Sequence, residues 1–196
     1  MKGSAVLFYI LLVLGLPAGS ASSDADDAYA LIKSKIDAVV LVLQHQGDDE
    51  RKKKDEVINI IMPVFDMPLM AKLAVGGTFW PRFSGDEKAR FSVAFEAMLQ
   101  NAYIDRIMRY SDEKIVFKAP VDNNKKVYVP VDLISAGDTY EMIYKLYRSN
   151  ATWKIYDVEI EGVSIIKSYR SQINQVLSTG TFEDLLQKME GSMTID

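Results

Sequence analysis

Trp153-Lys154-Ile155-Tyr156-Asp157-Val158-Glu159-Ile160-Glu161-Gly162-Val163-Ser164 is the stretch on which the fold turns. Apolar and polar residues alternate along it with the period of two that sends neighbouring side chains to opposite faces of a strand. The apolar set slips once, from Trp153 and Ile155 to Val158 and Ile160. One extra residue near Tyr156-Asp157, a β-bulge, accounts for the slip. Gly162 then ends the strand and the period changes. Ile165, Ile166, Tyr169, Ile173 and Leu177 recur at helical spacing, which predicts a helix from Val163 to about Leu177.

Period two also governs the segment before this stretch. Ile115 and Phe117 share one face of a short strand, and Val127, Val129, Val131 and Leu133 alternate along a second. Tyr140, Met142, Tyr144 and Leu146 do so along a third. Asp122-Asn123-Asn124 and Ala136-Gly137-Asp138 carry turn residues between them. Four strands joined by short turns predict an antiparallel meander. Upstream the period is helical. Tyr29, Ile32, Ile36, Val39, Val40 and Leu43 mark a helix from Asp26 to about Gln46, capped by Asp24 or Asp26. Gly47 to Lys54 reads as a charged connector, and a second helix starts near Asp55 and is interrupted by Pro63. Asp66 caps a short helix that Gly76-Gly77 ends. Ser84-Gly85-Asp86-Glu87 is a capping box. It opens the longest helix, to about Tyr110. Thr179-Gly180-Thr181 sets off a last short helix bearing Leu185, Leu186 and Met189. The class is α+β: a curved four-stranded antiparallel sheet with helices packed over one face.

At the other end of the chain, residues 5–16 carry no charge and Pro17-Ala18-Gly19-Ser20-Ala21 follows. That is the pattern of a secretory signal cleaved after Ala21, and the run is shorter than the roughly 20 apolar residues that span a bilayer. The expected organisation is a signal peptide over 1–21 and one domain over 22–196. Removing 21 of 196 residues leaves 175, the size of a single domain, and the loss of Lys2 takes the formal charge from −4 to −5. An acidic chain without a basic block is a poor partner for nucleic acid. The absence of cysteine excludes disulfides, a thiol nucleophile and lipid attachment behind the signal.

The chemistry-bearing residues are sparse. The single histidine, His45, stands between Gln44 and Gln46 at the polar end of the first helix, a surface position and not that of a catalytic base. No glycine-rich phosphate cradle, paired-histidine zinc motif or acidic calcium loop is present, so no catalytic residue, metal or cofactor is expected. Asp157, Glu159 and Glu161 alternate on their strand. They fit a solvated strand face better than an acid–base pair. Asn150-Ala151-Thr152 matches a glycosylation acceptor, a pattern short enough to arise by chance. Apolar stripes are abundant, with flexible Met67, Met70, Met98, Met108 and Met142 among them. Such stripes serve equally as solid core or as cavity wall.

Several motifs stand in a telling order. Phe65-Asp66-Met67-Pro68-Leu69-Met70-Ala71 is followed by Gly77-Thr78-Phe79-Trp80, then by Phe91 and Phe95. The stretch from Trp153 to Ser164 and the run Ser168-Tyr169-Arg170-Ser171-Gln172-Ile173 complete the series. From about Asp26 to Met189 the chain resembles the MlaC family, also called the toluene-tolerance auxiliary family. Met67 stands where an aromatic is common, and Ile173 where Phe is common. The resemblance implies a nuclear-transport-factor-like fold enclosing an apolar pocket. It implies a non-enzymatic periplasmic shuttle for phospholipid or a similar diacyl lipid, in the maintenance of outer-membrane lipid asymmetry. Its implied partners are an outer-membrane lipoprotein complex and an inner-membrane ABC transporter containing an MCE-domain protein. A hopanoid-associated branch of the family leaves the lipid open, and a monomer is expected.

A pocket between the sheet's concave face and the helices would be walled by Phe95, Leu99, Tyr103, Ile107, Val129, Val131, Met142, Tyr144, Leu146, Val158, Ile160, Val163 and Ile166. Tyr103 and Tyr144 would place hydroxyls at a wet mouth. Arg170 would pair with Asp157 or Glu161, or else touch a headgroup phosphate. A polar replacement at Leu146 or Val163 would empty the pocket. Two rival readings remain: a small isomerase- or dehydratase-like enzyme using Asp157 or Glu159, and an adaptor whose groove takes a partner helix. A raised carboxylate pKa inside the pocket would mark the enzyme.

Overall fold

The chain enters its fold at Ser23, whose hydroxyl accepts from the Asp26 amide while the Asp26 carboxylate accepts from Ser23 in return. This capping box satisfies donors that the first turn leaves open. Ser23 is therefore the cap, in place of the expected Asp24 or Asp26. The computed structural model describes residues 23–191 other than 46 and 48. The expected signal peptide lies outside the described residues.

Helix α1 (Asp24–Gln44) is followed by α2 (Glu50–Ile61), capped by Asp49, which accepts from the Arg51 amide at 3.0 Å. The second helix thus takes in most of the expected connector. Arg51 to Glu56 are sound helix formers, but Val57 is the only buried residue of the helix, so no apolar period announces its first turn. Pro63 sits in a 3₁₀ turn (Met62–Val64). Asp66 caps α3 (Met67–Phe79) through the Leu69 amide at 3.0 Å. Gly76, at φ 80° and ψ 172°, leaves the helical conformation and breaks this helix where a stop was expected, and helical turns resume directly beyond it to Phe79. A second 3₁₀ turn (Trp80–Arg82) leads to the Ser84–Glu87 capping box and α4 (Gly85–Ile107).

The sheet has six strands, two more than expected: β1 (Lys114–Phe117), β2 (Val121–Asp122), β3 (Lys126–Ser135), β4 (Asp138–Ser149), β5 (Thr152–Ile160) and β6 (Val163–Ser164). Its order is β1-β3-β4-β5-β6, with β2 also beside β3, and every pairing is antiparallel. The added strands have two residues each, too few to carry a period. The bulge falls where the alternation slips, because Lys145 faces Asp157 while Leu146 faces Ile155, leaving Tyr156 as the extra residue. Val163 is a strand residue, not the start of a helix. Glu161 and Gly162 both adopt positive φ, which turns the chain back so that Val163 pairs with Ile160. Helices α5 (Ile165–Thr179) and α6 (Phe182–Glu190) complete the chain.

One end of the apolar layer is solid. Phe91 stacks on Phe95 at 5.6 Å, Phe95 meets Tyr169 edge-on at 5.7 Å, and Phe83 meets Phe182 at 5.0 Å. These rings join α4, α5, α6 and the turn before α4 into an aromatic block, with Tyr169, Phe91 and Phe95 fully buried. Beneath it lie Val127, Leu146 and Ile155, one cross-strand row of the sheet.

Candidate functional site

The same stripes that make the solid end continue into a hollow. Along α4, Phe91 and Phe95 are core, whereas Leu99, Tyr103 and Ile107 line a cavity of about 470 Å³. Along β3, Val127 and Val129 are core, and Val131 and Leu133 line the cavity. On β4 the change falls between Leu146 and Tyr144. Register explains the shared boundary. Val131 faces Met142, which faces Ile160, and this row forms part of the cavity floor. Period two sets the face, and pairing sets the depth.

Of the expected wall residues, Leu99, Tyr103, Ile107, Val131, Met142, Tyr144, Val158 and Ile160 line this cavity. Phe95, Val129, Leu146 and Ile166 do not. They are buried in the solid core, where the aromatic block and α5 cover them. Val163 is 52% exposed at the edge strand, so neither it nor Leu146 is a place from which to empty the cavity. Sequence reasoning missed most of the roof. Ile32, Ile36, Val39, Val40 and Leu43 of α1 line the cavity, as do Met62, Phe65, Met67 and Met70 around the Pro63 turn. The α1 stripe was visible as a helical face. Nothing local said that this face looks into a hollow.

The junction at Asp66 holds that roof to the sheet. The Asp66 amide donates to the Ile155 carbonyl at 2.9 Å, its carboxylate accepts from the Tyr147 hydroxyl, and Lys154 donates to the Pro63 carbonyl. The Phe65-Asp66-Met67-Pro68 motif is thus a tether between helices and strands, with Phe65 and Met67 turned to the cavity.

Polar groups are confined to a few places on the lining: Lys35, Gln100, Arg106, Arg109, Glu113 and the tyrosines. Tyr144 is half-buried on the lining, and burial alone pushes its phenol up to about 12. Burial also raises the Tyr103 phenol, opposed by the Arg106 guanidinium 5.8 Å above its ring. Glu113 is the one carboxylate on the lining. The Ser111 amide, donating to it at 2.8 Å, holds it below the usual carboxylate range.

Asp157 and Glu159 lie off the lining. Asp157 is 6% exposed, so it is not part of a solvated strand face. It accepts from the Ser164 hydroxyl at 2.7 Å and the Ile166 amide at 3.2 Å, and thereby holds the first turn of α5. Lys145 pairs with both Asp157 and Glu159; burial would lower its ammonium, but these partners outweigh that and raise it. Arg170 makes no ion pair with Asp157 or Glu161. Its Nε donates to the Leu73 carbonyl at 2.8 Å, across the kink at Gly76. His45 is exposed. Among the described residues no acidic or histidine cluster could hold a metal, and no helix is long and apolar enough to cross a membrane.

This architecture and its cavity can be set beside known proteins. The phospholipid-binding protein from Ralstonia solanacearum, solved in complex with a phospholipid, superimposes with a TM-score of 0.75 at 22% identity, covering 84% of this chain and 96% of that one. Among curated relatives, the intermembrane phospholipid transport system binding protein MlaC of Haemophilus influenzae is 22% identical over 142 residues, 69% of this chain and 66% of its own length. The toluene tolerance protein ttg2D of Pseudomonas putida is 25% identical over 120 residues, 60% of this chain and 56% of its own length. The chain therefore matches just under two thirds, and just over half, of these two relatives. The family model described as "MlaC protein" matches residues 33–191, which runs from within α1 through every later helix and all six strands, and the chain belongs to the MlaC family.

Proposed function

We propose that this protein is a periplasmic phospholipid carrier that takes up acyl chains into the cavity between α1, α3, α4 and the sheet. The observation that carries the reading is a hollow of about 470 Å³ with an almost wholly apolar lining. Volumes of roughly 300–1,000 Å³ are typical of ligand sites. An apolar lining turned to a hollow lacks the contacts that a solid core would make and is matched by an apolar occupant. The names of the relatives supply the class of that occupant. Two acyl tails hold roughly 30 carbons, each about 0.8 kcal/mol more stable out of water. Exposing them would cost on the order of 20 kcal/mol, so a carrier must enclose the tails and leave the headgroup at the rim.

In this reading the domain over 22–196 is a nuclear-transport-factor-like cone, monomeric, exported behind a signal peptide. It exchanges lipid with an outer-membrane lipoprotein complex and an MCE-containing inner-membrane transporter. The enzyme alternative draws no support from the lining, where the only carboxylate has a lowered pKa instead of the raised one a buried acid or base would need.

Native mass spectrometry of protein purified from its host tests the reading. Diacyl lipid should remain bound after detergent-free purification. Met142→Glu puts a charge on the cavity floor and should abolish retention, with the circular dichroism unchanged. Leu146→Ala should cost about 2–5 kcal/mol of stability, as core truncation does, and leave retention intact. Protein that carries no lipid and takes none up from vesicles would refute the proposal.

A further inference from the structure

The charges on the cavity lining run against those of the chain. The protein is acidic, with 27 Asp and Glu against 23 Lys and Arg, yet the lining carries Lys35, Arg106 and Arg109 against Glu113 alone. Elsewhere cations are consumed in ion pairs, such as Lys54 with Asp105, Arg90 with Glu183 and Lys118 with Asp132. No carboxylate among the described residues lies within ion-pair distance of Lys35, Arg106 or Arg109. Glu113 does not neutralise them, because its carboxylate accepts from the Ser111 amide in its own loop.

The two arginines are held ready. Arg106 lies over the Tyr103 ring at 5.8 Å, so a guanidinium stands where the greasy wall of α4 ends. Arg109 donates its Nε to the Asp105 carbonyl at 3.1 Å, which fixes the arm and leaves its terminal Nη groups to a ligand. The position at the C-terminal end of α4 suits any cation, since the helix dipole is negative there. That alone would not place both side chains on the lining of an apolar hollow.

We propose that Arg106 and Arg109, with Lys35 adding positive potential from α1, form a rim seat for the phosphodiester of a glycerolipid headgroup. The seat rests on the carrier reading. It makes the protein select lipids that bear a phosphate over neutral lipids with the same tails. A fork of guanidinium donors matches phosphate oxygens, and the apolar wall beside it keeps the pair partly out of water.

The test loads delipidated protein with an equal mixture of phosphatidylglycerol and diacylglycerol of identical chains, and reads the bound ratio in one sample by native mass spectrometry. The parent protein should prefer phosphatidylglycerol by about tenfold, the worth of one charge-assisted hydrogen bond. Arg106→Gln combined with Arg109→Gln should bring the ratio towards one, and Lys35→Gln should lower it part of the way. A general weakening of binding cancels in the ratio. Equal loading of the two lipids on the parent protein, or an unchanged ratio in the double variant, overturns the seat and leaves the carrier standing. Failure of both lipids to load overturns the carrier itself. Millimolar inorganic phosphate should not erase the preference; if it does, the seat belongs to a free anion and the headgroup assignment falls.

Discussion

Burial alone pushes the Tyr144 phenol up to about 12, and the ring lines the cavity floor between Val129 and Val158 in cross-strand register. In the unfolded chain a tyrosine loses its proton near pH ~10. Above that pH the unfolded state binds fewer protons than the folded one, so stability falls as pH rises. It is complete below about 10 and is lost up to about 12, by at most about 3 kcal/mol at roughly 1.4 kcal/mol per unit. Lys145 acts in the same direction, since its acidic partners hold its proton to higher pH than in the unfolded chain. Tyr144→Phe should therefore flatten the alkaline limb of a urea-denaturation series without removing it. A variant that loses stability as steeply as the parent between these values would mean that the phenol is not desolvated. The example also marks a limit of sequence reading at this scale. Alternation along β4 puts Tyr140, Met142, Tyr144 and Leu146 on one face, but it does not say that Leu146 is core and Tyr144 faces a hollow. That depends on whether the aromatic block or α1 lies above, which is decided by residues far away in the chain.

Elements meet most closely at the kink of α3. Gly76 holds φ 80°, and a Cβ there would come within 3.4 Å of Arg170 Cδ, whose neighbouring Nε is bonded to the Leu73 carbonyl. Gly76→Ala should cost about 1–2 kcal/mol from the positive-φ backbone, since the added Cβ would meet the arginine that ties α5 to α3 at ordinary van der Waals distance. Urea denaturation reads the cost, and a variant as stable as the parent would show that the kink is not required. Local signals were legible wherever one element carries its own chemistry. The Ser84–Glu87 box, the Asp66 cap and the bulge at Tyr156 could all be read from adjacent residues. Signals that belong to two elements were not. That Gly76-Gly77 breaks a helix is legible, but that Arg170 packs against the break is not. Arg170 looks like a partner for Asp157 until Ser164, Ile166 and Lys145 are seen around that carboxylate. The strand β6 depends on Glu161 adopting a positive φ, a conformation that a non-glycine residue does not advertise.

Across the whole molecule, a solid end and a hollow end share one sheet, and the asymmetry has a thermodynamic consequence. A hollow of about 470 Å³ that opens to solvent leaves its apolar lining without the contacts a filled core would make, so the delipidated protein recovers part of that loss by closing in or by admitting water. The aromatic block among α4, α5 and α6 has no such freedom, being filled already. The adjustable part is the roof, where α1 and the Pro63 turn meet the sheet through side chains and the tether at Asp66. Lipid that binds only the folded state adds about 2.7 kcal/mol when present at a hundredfold excess over its dissociation constant. At roughly 2–4 °C per kcal/mol for a domain of this length, the melting temperature should rise by about 5–10 °C on reloading. Amide exchange should slow in α1 and around the Pro63 turn, while the amides of α6 and of α5 beyond its first turn stay as they were. If reloading protects both ends equally, or leaves the melting temperature unmoved, the hollow is not where the cargo sits.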